Sequence, residues 1–144
     1  MTSPVQMRAV ILPAADERLS EVLGFMTAGL PEGFFALAPQ MELVLEELLV
    51  NIGHYAYGGA GGEVELSRRL VKFDGWPHLV FLVRDWGPAF DPFENSPEPD
   101  LTSSVERRPV GGLGVHLVRT VASHYCYGRG LGANTTELYF RKPA

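Results

Sequence analysis

The chain predicts an α+β fold, a two-layer α/β sandwich in which a mixed, mostly antiparallel sheet carries helices on one face. Three observations lead there. Along the 144 residues the elements run β, α, α, β, β, long loop, α, β, β. Three helices cannot alternate with five strands as a doubly wound sheet requires, whereas helices gathered on one face of a sheet fit that order. The helical stretches are one-sided, with apolar residues at helical spacing, so each needs one surface to cover it.

Each element has its own justification. Met7 to Leu12 is rich in β-formers and stops at Pro13, which reads as a strand. Asp16 can cap a helix running to about Ala28, with Leu19, Val22, Leu23 and Met26 on one face. Gly29, Pro31 and Gly33 break the chain, and Pro39 suits the first turn of the next helix. That helix, about Gln40 to Ala56, repeats apolar residues at Met41, Val44, Leu45, Leu48, Leu49 and Ile52. It cannot run through the glycine-rich stretch Gly58-Gly59-Ala60-Gly61-Gly62. Two strands follow, Glu63 to Phe73 and His78 to Arg84, with Asp74-Gly75 as a hairpin turn between them. Leu79 to Val83 is apolar throughout, as in a strand covered on both faces. The stretch from Pro88 to Pro109 is poor in large apolar residues and holds Pro92, Pro97 and Pro99; loops this long in small domains are usually lids or disordered. It begins acidic (Asp91, Glu94, Glu98, Asp100) and ends basic at Arg107 and Arg108. Val115, Val118, Val121 and Ala122 then give helical spacing, and His124–Tyr127 and Asn134–Arg141 read as two strands joined by a Gly-rich turn.

Composition narrows the function classes. A hydrophobic content of 46% points to a packed core in one domain spanning residues 1–144. A net charge of -5 argues against direct nucleic-acid binding. No apolar run approaches a membrane span and no signal-peptide pattern opens the chain, so a cytoplasmic location is expected. The lone cysteine, Cys126, allows no internal disulfide and is expected to be buried packing.

Chemistry concentrates in a few places. Glu47 and Asn51 are four residues apart, roughly 40° around an ideal helix, so they project on one side beside the apolar stripe. A carboxylate there can accept a proton, and an amide oxygen can ligate a hard cation. Read alone, the pair is more simply a polar border on an amphipathic helix. Glu46, about 100° away, is expected on the solvent side. Gly111, Gly112 and Gly114 before an apolar helix suit phosphate, since backbone N–H groups can approach closely there; a tight turn explains them as well. No GxxxxGK[ST] occurs, and Lys72 and Lys142 are the only lysines, which excludes a Walker-type site. His54, His78, His116 and His124 are scattered without zinc spacing and read as surface or structural.

In fixed order stand Glu47-x3-Asn51 on a helix, Asp85-x-Gly87 at a strand end, a long loop, and Gly112-x-Gly114 opening a helix. From Met7 to Arg141 the chain resembles the GHKL ATPase superfamily with its Bergerat nucleotide-binding fold. The nearer resemblance is to the anti-sigma factor serine/threonine kinases of bacterial partner-switching systems. It rests on Glu-Leu-Leu-Val-Asn-Ile-Gly-His-Tyr-Ala-Tyr (47–57), Asp-Trp-Gly-Pro-Ala-Phe-Asp-Pro (85–92) and Gly-Gly-Leu-Gly-Val-His-Leu-Val-Arg (111–119).

The resemblance implies roles. Asn51 corresponds to the ligand that bridges Mg²⁺ to the triphosphate of ATP, and Glu47 to the residue that orients or deprotonates the attacking hydroxyl. Asp85 corresponds to the acceptor of the adenine amino group, and Gly87 lets the backbone pass close to the base. Gly111, Gly112, Leu113 and Gly114 correspond to the phosphate-side loop, with residues 88–110 as the ATP lid. The lid is expected to be mobile without nucleotide and ordered with it. Arg107 or Arg108 would reach the γ-phosphate or a partner, or else be solvated surface charge. Asn134-Thr135-Thr136 resembles the closing strand, with Thr136, or else Thr135, as its nucleotide-side residue. Two positions depart from the pattern. Tyr55 stands where many relatives have His, and Ala89 where many have Gly.

By the same resemblance the chain phosphorylates a STAS-domain antagonist and sequesters a sigma factor or other regulatory target. A metal-dependent phosphatase reverses the mark, and a homodimer is the default state. No phosphoacceptor-histidine helix pair precedes the domain, so a complete histidine kinase is not expected. Two other classes stay open: an ATP-binding sequestering protein without kinase activity, and a module that only hydrolyses ATP.

Overall fold

The computed structural model describes residues 5–11, 17–56, 61–95 and 118–144. Its centre is one five-stranded sheet. The strands are β1 (Val5–Ile11), β2 (Gly62–Phe73), β3 (Trp76–Asp85), β4 (His124–Gly130) and β5 (Ala133–Arg141). They lie in the order β1-β2-β3-β5-β4, and every pairing is antiparallel, so the expected mixed character reduces to a purely antiparallel sheet. Tight hairpins account for two of these pairings, β2–β3 and β4–β5: Asp74-Gly75 and Leu131-Gly132 both have positive φ (53° and 75° in each), the two-residue turn geometry that matches strand twist.

Helices α1 (Glu17–Thr27) and α2 (Ala38–Asn51) cover one face. Leu19, Val22, Leu23 and Met26 of α1 and Met41, Val44, Leu45, Leu48 and Leu49 of α2 are buried as their spacing predicts. They join Leu66, Leu79, Phe81, Val83, Leu138 and Phe140 in one core cluster. Side chains alternate across a strand, so rows on this inner face follow from the register. They read Val64–Asp85–Asn134, then Leu66–Val83–Thr136, then Arg68–Phe81–Leu138.

Arg68 is an unexpected member of the inner face, only 4% exposed. Its guanidinium donates to the Met26 carbonyl (2.7 Å) and the Gly29 carbonyl (2.9 Å). Carbonyls at a helix C-terminus lack intrahelical donors, so Arg68 fastens the end of α1 to β2.

Among the described residues the outer face has no second helical layer. Val80 and His78 are nevertheless buried there, among the rings of Phe73, His124 and Tyr139, whose centroids lie 4.9–5.2 Å from one another. The apolar run in β3 is thus covered by helices on one side and by same-sheet aromatics on the other. Cys126 also faces outward, and it is exposed rather than buried. It sits on the edge strand β4 opposite Glu137, where none of the described elements covers it. Partial desolvation by its strand neighbours and the Glu137 charge push its thiol pKa up, away from reactivity.

A short helix, α3 (Pro92–Asn95), lies inside the stretch expected to be irregular. Asp91 caps it, its Oδ1 accepting from the Phe93 N–H at 2.8 Å. Phe90 and Phe93 pack against the core, and the Phe93 ring lies 4.6 Å from that of Tyr125. Two aromatic side chains thus anchor the start of this stretch, against the expectation from its composition. Residues 118–121 are helical, and Arg119 donates to the Phe93 carbonyl at 2.6 Å. Among the described residues no helix is long and apolar enough to cross a membrane.

Candidate functional site

Helix α2 delivers the first pair of residues. Its α-helical hydrogen bonding ends at Asn51, and Ile52–Ala56 continue as a π-helical turn. Such widened turns often mark functional positions, because they redirect a side chain without ending the helix. The Asn51 side chain is 0% exposed, yet neither its Oδ1 nor its Nδ2 has a hydrogen-bond partner. A buried amide left unpaired costs roughly 1–3 kcal/mol. Glu47, one turn earlier, is half-buried. Glu46 is half-buried too, against the expectation that it faces solvent, so burial does not separate the two carboxylates.

Asn51 passes a simple test for Mg²⁺. The ion takes oxygen ligands, commonly one or two from protein and the rest from water and phosphate. An amide oxygen buried without a donor is such a ligand. Among the described residues no group of three His, Cys, Asp or Glu side chains gathers as a metal cage, so an ion here would draw its remaining ligands from elsewhere.

The second group forms where β3 ends beside β5. Asp85 is 3% exposed and is the register partner of Asn134. Its Oδ1 accepts from the Gly87 N–H (3.0 Å) and from Asn134 Nδ2 (2.8 Å). Both bonds land on Oδ1, which leaves Oδ2 for another donor. Burial pushes the Asp85 pKa up, with the Asn134 and Gly87 hydrogen bonds and the Arg129 charge pulling the other way. Gly87 is held in turn by Arg129, which donates to its carbonyl at 2.6 Å. Thr136 is buried on the same inner face, one row from the Asp85–Asn134 pair.

Of the expected site residues, Asp85, Gly87 and Thr136 come together at the β3–β5 end. Glu47 and Asn51 occupy the last turns of the helix packed over the same face. Arg107, Arg108, Gly111, Gly112, Leu113 and Gly114, with residues 96–110 of the expected lid, lie outside the described residues. Sequence reading gave Asn134 no role of its own, although it is the hub of the Asp85 group. The available signal was a polar residue alternating in phase with the core positions Leu138 and Phe140. Arg129 was missed altogether, and nothing in its surroundings marked it.

A family model described as a histidine kinase-like ATPase domain matches residues 12–142. Among solved structures the chain is similar to the Acinetobacter baumannii histidine kinase AdeS, with a TM-score of 0.50 and 12% identity, covering 96% of this chain and 68% of that one. At that identity the likeness speaks for the fold. No curated protein matches.

Proposed function

The chain belongs to the histidine kinase-like ATPase domain family, and from that footing we propose that it is an ATP-dependent serine/threonine protein kinase of the anti-sigma type. The observation that carries the nucleotide chemistry is Asn51, a wholly buried amide whose polar atoms have no partner among the described residues. Proteins rarely leave such a group unpaired, and a ligand-borne metal explains it.

Asp85 Oδ2 accepts the exocyclic amino group of adenine, and Gly87, lacking a side chain, lets the backbone lie against the base. A buried acceptor at that point rejects guanine, which presents a carbonyl there. Mg²⁺ held by Asn51 Oδ1 would supply charge neutralisation on the phosphate oxygens. Phosphoryl transfer then needs alignment more than covalent help. Glu47 aligns a seryl or threonyl hydroxyl of a docked protein and accepts its proton.

The protein substrate is a STAS-domain antagonist, and the unphosphorylated antagonist competes with a sigma factor or other regulatory target for this chain. A metal-dependent phosphatase acting on the antagonist closes the cycle. The motif resemblance at 47–57 and 85–92 supports this finer assignment. The test is incubation of the protein and the STAS protein of a neighbouring gene with ATP radiolabelled at the γ-phosphate. Label on the antagonist is expected. Label only in free phosphate would make the chain an ATPase, and nucleotide binding with neither product would make it a sequestering protein.

A further inference from the structure

We infer that Asn134 is a positioning residue for the base site, selecting which oxygen of Asp85 faces the nucleotide and tying the segment that leaves β3 to β5. This rests on the reading of Asp85 as the acceptor of the base.

The geometry is unusually complete for one side chain. Asn134 is 2% exposed. Its Nδ2 donates to Asp85 Oδ1 (2.8 Å) and to the Pro88 carbonyl (2.9 Å), with the Gly87 carbonyl farther off at 3.4 Å. Its Oδ1 accepts from the Phe90 N–H (3.3 Å) and from the Tyr127 hydroxyl. Two donors and two acceptors are all an amide has, so none remains for a ligand. The same partners set the orientation of the amide, since a flipped group would place oxygen against oxygen at Asp85 and Pro88. Asn134 therefore acts through Asp85. Together with the Gly87 N–H it saturates Oδ1, so the incoming amino group meets Oδ2 alone. A carboxylate without this brace can rotate and present either oxygen. The bonds to Pro88 and Phe90 hold the backbone that carries Gly87 past the base.

A cross-strand clamp with no part in recognition would affect every nucleotide alike. A positioning residue affects the amino-group contact in particular. The experiment is calorimetric titration of native protein, Asn134→Ala, Tyr127→Phe and Asp85→Asn, each with Mg·ATP and with the triphosphate of purine riboside, which lacks the exocyclic amino group. The native protein should prefer ATP. Asn134→Ala should lower that preference toward the value of Asp85→Asn: the loss for ATP should clearly exceed the loss for the purine riboside triphosphate, which registers only the loosened backbone at Pro88 and Phe90. Tyr127→Phe, which removes one brace and keeps the fold more surely, should reduce the preference by about 2- to 10-fold, the effect of one hydrogen bond. Equal losses for both ligands in Asn134→Ala, or an unchanged preference in Tyr127→Phe, would overturn the inference. Native protein that binds both ligands equally would instead remove the premise about Asp85.

Discussion

Asp85 and Asn51 are both buried polar side chains at the ends of their elements, yet the chain treats them oppositely. Around Asp85 the protein supplies its own partners: Gly87 and Asn134 occupy Oδ1, and Tyr127, Phe90 and Pro88 occupy Asn134. Around Asn51 the described residues supply none. A satisfied cluster is rigid and selects geometry, as recognition of a flat base demands. An orphaned amide is a standing cost that a partner from outside the chain relieves. On the proposed reading, the base end is preorganised by the fold, and the metal end is completed by what binds. Three substitutions and one exchange measurement break or sharpen this contrast.

The largest effect belongs to Glu47, beside the incomplete end. Glu47→Ala should retain nucleotide affinity and lose phosphoryl transfer by about 10²- to 10⁴-fold, the usual contribution of a positioned base. Single-turnover transfer to the antagonist measures it. Undiminished transfer would move the role to Glu46, whose burial is similar.

At the complete end, Asp85→Asn keeps an oxygen for Gly87 and Asn134 but turns Oδ2 into a donor facing a donor. ATP affinity should fall roughly 10- to 100-fold, the cost of a mismatched buried contact. The pH dependence of the native protein follows from the raised Asp85 pKa. The ionised carboxylate is the stronger acceptor, so ATP affinity should weaken as pH falls through that raised value, and Asp85→Asn should remove this slope. Stability runs the other way. The folded state binds this proton more readily than the unfolded one, so the contribution is fully present below the ordinary aspartate value of 3.8 and is lost as pH rises through the folded value. Titrations at several pH values, with urea unfolding in parallel, check both signs.

Asn51→Leu replaces the orphaned amide by an apolar group of similar size. The nucleotide-free protein should gain about 1–3 kcal/mol in urea unfolding while stabilisation by Mg·ATP is lost. A loss of stability instead would mean that the amide has a partner within the chain.

The smallest effect separates the two ends by dynamics. The Gly87 and Phe90 N–H groups donate to buried side-chain oxygens, so their exchange with solvent should already be slow without nucleotide. Hydrogen exchange measured with and without Mg·ATP should show little change at either amide. A large gain at Phe90 would mean that the base end also waits for its ligand.

Much of this was legible from residue order because its causes are local. Helical spacing placed the buried faces of α1 and α2, Asp74-Gly75 marked its hairpin, and the ordered boxes around Asn51 and Asp85 led to the family. Composition misled where tertiary contacts outweigh it. The stretch after Pro88 looked unanchored because Phe90 and Phe93 are only two apolar residues, but both reach the core and Asp91 caps the helix between Pro92 and Asn95. Cys126 looked buried from its aromatic neighbours, yet strand alternation on an uncovered edge turns it outward.

The sequence by itself determined the α+β class, the elements in their order, and the residue types at the nucleotide end of the fold. These follow from periodicities and spacings within about a dozen residues of chain. Only the tertiary structure decided that Asn134, forty-nine residues from Asp85, is its partner. It alone revealed that Arg68 closes the end of α1, and that Asn51 is left without a bond. A hydrogen bond between distant strands depends on register, and an unsatisfied group is defined by what surrounds it in space, neither of which any local stretch of chain records.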